Sequence, residues 1–300
     1  MRLIAAVSLV LVATTASAWI DWTQPLAQTV MVRVVHTDLP GEEKHASQAQ
    51  LDALDMMQRL ALQSNADLTV FPELFLLPTA GDLPHALRDD IVAAMRASGG
   101  SLVFGAPGSP ASGSAAQGQQ NTLVQLDKNG DTHVYAKEIL LPFLEYLPDH
   151  PLLQLAYRYL YHYPQADFAA GPAHELPFVI KRVVAGLSIC SELAYAGKAS
   201  RQARGAGLLI NASNDGWISS DAYLRQAHLI ARVRAAEAQK PMVRANNVGY
   251  SAFIDARGTA LSELVGTSGV RTMEVVPHRG DTPYVTAAAW IADRLNPAGF

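Results

Sequence analysis

The sequence predicts a single layered α/β domain. Three observations carry that expectation. β-branched apolar runs alternate with segments of helical spacing along the chain. A composition of 49% hydrophobic and 17% charged residues over 300 positions supports a sizeable buried core. No segment repeats at the period of a solenoid or propeller.

The elements follow in order. Residues 29–36 (TVMVRVVH) are a β-branched run and form the first expected strand. Residues 47–62 have helical spacing, with Leu51, Leu54, Met57 and Ala61 near one face. Residues 67–71 (DLTVF) are a short strand stopped by Pro72, which has no N–H to give a ladder. A second helix is expected over 83–98 and a strand over 101–106. The Gly, Ser, Ala and Gln of 108–120 lack periodicity and predict an exposed loop. Strands at 121–127 and 132–137 flank Lys128-Asn129-Gly130-Asp131, a hairpin signal. Two more strands fill 178–190, broken near Lys181-Arg182, and 191–206 fits a helix. A buried strand at 207–212 and a long helix at 223–239, ended by Pro241, come next. Strands at 242–245, 250–255 and 272–276 close the pattern, with a turn at Ala256-Arg257-Gly258.

Composition excludes several functions. The charge of 23 − 27 = −4, with pI near 6.1, gives no basic footprint for nucleic acid. A single cysteine, Cys190, excludes an internal disulfide framework and a cysteine-rich metal site. The histidines form no HExxH pattern or close pair, so a zinc site has no sequence support, and chemistry at a thiol would need no metal or organic cofactor. Residues 1–18 have the form of a secretory signal: Met1-Arg2, an apolar run over 3–13, then Ala16-Ser17-Ala18. The run falls short of the ~20 residues of a membrane span. The expected organisation is a signal peptide or N-terminal anchor at 1–18, one domain over 27–285 and a C-terminal tail at 286–300. The expected location is the periplasm.

Three of the strands end in a reactive side chain. DLTVF runs out at Glu73, THVYA at Lys137 and GLSI at Cys190. In α/β sheets, working residues gather where strands run out into loops. A free thiol, with a pKa of about 8.5, needs a base or a positive neighbour to react at neutral pH. A carboxylate can take its proton, and an ammonium can stabilise the oxyanion formed when a carbonyl is attacked. Taken singly, each residue has an ordinary structural role, and spacing alone does not bring them together.

The words around these residues carry a resemblance. They are VFPE (70–73), AKEILLPFLEYLP (136–148), SICSE (188–192), NASNDGW (211–217), QAHLIARVRAAEAQKPMVRANNVG (226–249) and TPY (282–284). In this order the chain resembles the nitrilase (carbon–nitrogen hydrolase) superfamily, and within it the catalytic domain of apolipoprotein N-acyltransferase. The resemblance implies a four-layer αββα sandwich. It implies Glu73 as general base, Lys137 as oxyanion stabiliser and Cys190 as nucleophile, with Glu145 and Glu192 as further catalytic carboxylates. It places Trp217, Asn214 and Tyr146 among substrate-binding candidates. Ser191 stands where the family usually has an aromatic residue, and the family's bundle of membrane helices is absent from this sequence. Water or an amine therefore both stay open as acyl acceptor. A non-catalytic accessory role in a conjugal-transfer or secretion system is the third reading.

The implied partner is a small-molecule amide or an acyl-lipid. Tyr157, Tyr159, Tyr161 and Tyr163 alternate in 151–168 and suit a greasy substrate or a membrane surface. The oligomeric state is left open. Arg232, Arg234 and Glu237 are read as scaffold ion pairs on the long helix. The Asn211-Ala212-Ser213 glycosylation pattern falls inside a strand and is read as incidental.

Overall fold

The structure, a computed structural model, describes residues 20–39, 45, 47–63, 65–77, 85–110, 118–148, 150–153, 168–173 and 176–295. The described elements begin with β1 (Gln24–Pro25), β2 (Val30–His36), α1 (Ser47–Leu62), β3 (Leu68–Val70), α2 (His85–Ser98) and β4 (Ser101–Gly108). The hairpin β5 (Gln120–Leu126) and β6 (Thr132–Ala136) follows, then β7 (Phe178–Ile180), β8 (Val183–Ile189) and α3 (Ala196–Ala203). Next come β9 (Leu208–Ser213), α4 (Asp221–Ala238), β10 (Met242–Asn246) and β11 (Ser251–Ile254). The last are β12 (Ala260–Leu264), β13 (Gly269–Val275), β14 (His278–Arg279) and α5 (Pro283–Leu295).

Two six-stranded sheets face each other, ordered β13-β2-β3-β4-β5-β6 and β12-β11-β10-β9-β8-β7. Their facing sides share one core, with Val32, Val70, Val103 and Leu123 from the first and Ile180, Leu187, Ile210 and Val243 from the second. α1 and α2 cover the outside of the first sheet through Met57, Ile91 and Met95, against Val35, Leu102 and Phe104. On the outside of the second sheet, Ala231, Ala235 and Val285 of α4 and α5 pack with Leu209, Met242 and Ile254. The result is the αββα order: each sheet buries both faces, which explains why β2, β5, β9 and β10 are buried nearly end to end.

Parallel pairing sets the directions that matter. β2, β3 and β4 run parallel, and β6 returns to that direction after the antiparallel β5. β8, β9 and β10 are also parallel. The C-terminal ends of β3, β4 and β6 therefore share one edge with the start of β5, and those of β8, β9 and β10 share an edge of the second sheet.

Several expectations change in detail. α1 buries Ala53, Met57, Leu60 and Ala61, and Leu51 faces solvent. The helix expected over 191–206 is two pieces, a 3₁₀ turn at Cys190–Ala194 and then α3, because Cys190 enters at φ +49° and the Glu192 side chain ties back to the Ile189 N–H. β12 escapes the sequence reading because its half-exposed ALSEL mixes short and polar residues. The stretch after 285, expected as a tail, is helical to Leu295, and Val285 and Ala289 of this helix are buried. Lys181 and Arg182 both take positive φ, as a two-residue hairpin turn with the strand twist requires. Residues 1–18, expected as a signal peptide or anchor, and the four alternating tyrosines lie outside the described residues.

Candidate active site

Glu73 follows Pro72 at the end of β3. Its loop presses onto β4 at Gly105, whose N–H donates to the Pro72 carbonyl at 3.1 Å. A Cβ at Gly105 would stand 2.2 Å from the Leu74 nitrogen and 2.6 Å from the Glu73 Cα. Only glycine allows this close approach. Gly105→Ala is thus expected to lower the thermal midpoint and Cys190 reactivity together, by displacing Glu73. Unchanged thiol alkylation would show that this contact does not hold the turn.

Lys137 follows β6, and its N–H donates to the carbonyl of Asn121 on β5 at 2.8 Å. Its Nζ lies 2.8 and 2.7 Å from the two oxygens of Glu145 and 3.6 Å from Glu73 Oε1. Glu145 is returned to the lysine by the short loop after β6, and its Oε2 also accepts from the Leu141 N–H at 2.7 Å. The remaining Glu73 oxygen, Oε2, accepts from the Asn214 N–H at 2.8 Å. That bond crosses from the first sheet to the second. All three charged groups are buried.

Cys190 is the first residue after β8. Its φ of +49° is costly for a residue with a Cβ and turns the thiol out of the strand direction. Burial pushes the thiol well above its ordinary value, and the charges of Glu73, Asp215 and Glu145 push the same way against Lys137. For Lys137, burial alone would favour the neutral amine. Glu73, the Cys190 site and Glu145 outweigh it, so the lysine stays charged and its pKa rises.

These charges dictate how the thiol can ionise. Glu73, Lys137 and Glu145 sum formally to −1 with both carboxylates ionised. A thiolate formed by losing its proton to solvent would make the buried cluster −2. Passing the proton to Glu73 keeps the total at −1. The arrangement therefore favours a neutral resting thiol.

Glu192 has a different position from the other predicted carboxylates. Its Oε2 accepts from Tyr135 Oη at 2.6 Å and the Ile189 N–H at 2.8 Å. Its Oε1 accepts from the N–H groups of Glu138 and Ile139 at 2.9 and 3.2 Å. Four donors leave this carboxylate little capacity for a substrate. It fastens the segment after Lys137 to the turn carrying Cys190. Glu138 in turn pairs with Lys198 and Arg201 of α3. Glu192→Ala would orphan three backbone N–H groups, each costing about 1–3 kcal/mol when buried. The expected result is a marked fall in the urea midpoint; an unchanged midpoint would refute the bracing role.

The substrate-binding candidates separate as well. Asn214 holds Glu73 through its main chain, while its Oδ1 accepts from Asn247 Nδ2 at 2.8 Å. Trp217 is exposed on the loop after β9, its ring 6.2 Å from that of Tyr223. Tyr146 is half-buried beside Glu145 and bridges to Pro142. The scaffold pair is present: Arg234 bonds Glu237, and Arg232 donates to the Gly258 carbonyl at 2.8 Å.

Sequence reasoning missed Asn121, Asp215, Tyr223 and Arg244. Arg244 is buried on β10 and pairs with Asp215 at 2.9 Å. Tyr223 on α4 feels Cys190 and Asp215, although burial is the larger cause of its raised pKa. The available signal was polarity inside apolar strands: an arginine in MVRAN, and Gln, Asn and Thr opening the fully buried QNTLVQL.

Residues 31–280 match the carbon-nitrogen hydrolase family. The chain belongs to that family. Among similar curated proteins, this carbon-nitrogen hydrolase domain is 29% identical over 268 residues to an apolipoprotein N-acyltransferase of Nitrosomonas europaea, covering 89% of this chain and 53% of that one. An apolipoprotein N-acyltransferase of Methylococcus capsulatus is 27% identical, over 95% of this chain and 56% of its own. The chain thus spans about half the length of these relatives. Among solved structures, an alanine variant of a Nesterenkonia amidase from the nitrilase superfamily superposes with TM-score 0.59 at 20% identity, covering 90% of this chain and 98% of its own. A carbon-nitrogen hydrolase from Helicobacter pylori gives TM-score 0.60 at 18% identity, over 90% and 94%. The αββα fold of this domain is that of the superfamily. Among its described residues no helix is long and apolar enough to cross a membrane.

Proposed function

We propose that the chain is a thiol-dependent carbon–nitrogen hydrolase or acyltransferase that works through an acyl-enzyme at Cys190. The observation that carries this reading is the buried Glu73–Lys137–Glu145 cluster acting on a lone thiol held in a left-handed turn. Glu73 takes the thiol proton as sulfur bonds to the carbonyl carbon. The carbonyl π pair moves to oxygen, where a Lys137 N–H stabilises it. Collapse breaks the bond to the leaving group, which departs with the proton held by Glu73. Water or an amine then attacks the thioester, gives its proton to Glu73, and the thiol is restored. Glu145 keeps Lys137 placed and charged, and no cofactor enters.

Two donor classes follow. A soluble amide fits the amidase-type fold; in one Nesterenkonia amidase variant the acetamide moiety of fluoroacetamide is added covalently at the active site cysteine. A fatty acyl group moved from phospholipid to an amine fits the names of the relatives. Exposed Phe143 and Trp217, on the loops that carry Glu145 and Asn214, favour a greasy donor. The form of residues 1–18 supports export to the periplasm, where such a donor is available.

Product analysis tests the choice. Ammonia from short-chain amides, without N-acyl product, would assign hydrolysis. N-acyl product from a diacyl phospholipid and a primary amine would assign transfer. An inert thiol at Cys190 with neither product would refute both and leave the accessory role.

A further inference from the structure

Asn121 opens β5, between the C-terminal ends of β4 and β6. It is fully buried. Its one side-chain nitrogen donates to Glu73 Oε1 at 2.6 Å and to Glu145 Oε1 at 2.9 Å. Lys137 Nζ faces those same two oxygens, at 3.6 and 2.8 Å. Two donors and two acceptors thus close into a ring. The Asn121 carbonyl also accepts the Lys137 N–H at 2.8 Å, so one residue fixes the lysine's main chain and both of its partners. The orientation of the amide follows from its neighbours: reversed, its oxygen would face two carboxylate oxygens at hydrogen-bond distance. Among the described residues Asn121 Oδ1 has no hydrogen-bond partner, a penalty retained in exchange for the two donations.

We propose that Asn121 is a positioning residue of the thiol chemistry, closing the Glu73–Lys137–Glu145 ring so that Glu73 is held unprotonated toward Cys190. The inference rests on the reading of Glu73 as the base. Both amide hydrogens are committed to carboxylates, and so the two acids cannot approach and share a proton between them. Glu145 takes two of the lysine N–H groups, and the third is the one that a substrate oxygen would receive on the proposed reading. A donor to the charged form of a carboxylate favours that form. Removing it raises the pH at which Glu73 becomes a competent base. The titratable groups around the ring are Lys137 after β6, Glu145 on the following loop, Cys190 after β8 and Tyr223 of α4, and Asp215 after β9 acts on Cys190. All of them are retained in an Asn121 variant.

The test uses iodoacetamide, with alkylation of Cys190 followed by intact mass as a function of pH. Cys190 is the only cysteine, so the readout needs no known substrate. Asn121→Ala removes the donor, and Asn121→Leu removes it while keeping volume. In both, the acid limb is expected to move up by about one pH unit, and the plateau to fall about tenfold or more. A purely structural role would lower thermal stability in Asn121→Ala, recover in Asn121→Leu, and leave the limb in place. An unmoved limb in both variants overturns the proposal. Glu73→Gln separates the two levels of inference. If wild type alkylates with the profile of an ordinary thiol and Glu73→Gln matches it, the base assignment itself fails.

Discussion

Cys190→Ala is expected to lower turnover by at least about four orders of magnitude, since the acyl-enzyme has no other attachment point. The fold should survive. Alanine keeps the small volume of the site, and no hydrogen bond of the thiol to another described residue braces the turn. Stability carries a second signature. Cys190 stands at φ +49°, a conformation that costs a residue with a Cβ about 1–2 kcal/mol. Cys190→Gly should therefore be more stable than Cys190→Ala by about 1 kcal/mol. The wild-type thiol has its pKa raised by burial above the unfolded value of about 8.5. Its contribution to stability is present below that pH and is lost as pH rises through the folded value. This alkaline erosion should vanish in either variant. Urea midpoints against pH, with turnover on an amide or active ester, check all three outcomes. Retained turnover in Cys190→Ala would remove the nucleophile from the account.

The second large effect belongs to Lys137. Lys137→Met deletes the cation that contacts both Glu73 and Glu145. Two buried carboxylates then face one Asn121 amide. Breaking a buried pair in this way costs about 3–5 kcal/mol. The penalty depends on pH. In wild type the raised Lys137 value gives stability that is complete below the ordinary lysine value of about 10.4 and is lost only above it. Around neutrality this term is flat. In the variant, mutual repulsion raises one carboxylate above the ordinary value of about 4.3. That carboxylate's contribution is present in acid and lost as pH rises through its new value. The variant should unfold most readily at neutral and alkaline pH and recover in acid, the reverse of ordinary acid denaturation. Turnover should fall by about 10²–10³ or more, with the oxyanion donor gone. A wild-type urea midpoint at neutral pH would contradict the pairing.

Much of this site was legible in the sequence, for local reasons. Glu73, Lys137 and Cys190 each follow an apolar strand at the point where the strand stops. The parallel directions of β3, β6 and β8 make strand ends meeting points. The hairpin around Asn129-Gly130 and the break at Lys181-Arg182 were legible because turn chemistry is local. The pairing order of the two sheets was not. β13 lies beside β2 across more than 200 residues, and no local pattern encodes that partner. Asn121 and Arg244 were missed because a polar residue in a strand reads as solvent-facing until both sheet faces are known to be covered. Glu192 was legible as a carboxylate near the nucleophile, whereas its bracing role depends on donors from β6, β8 and the loop after Lys137. Leu51 shows the same limit in the helices: spacing put it with Leu54, Met57 and Ala61 on one face, whereas the buried face is made by Ala53, Met57, Leu60 and Ala61.

The measurement that tests the central claim most directly is intact mass after rapid quench. Wild type and Cys190→Ala would each be mixed with short-chain amides, active esters and a diacyl phospholipid. An acyl mass on wild type alone, located at Cys190, is the predicted result, and the donor that yields it names the substrate class. Full turnover of any donor with no acyl mass on Cys190 at any quench time, or an equal adduct on Cys190→Ala, would contradict the acyl-enzyme.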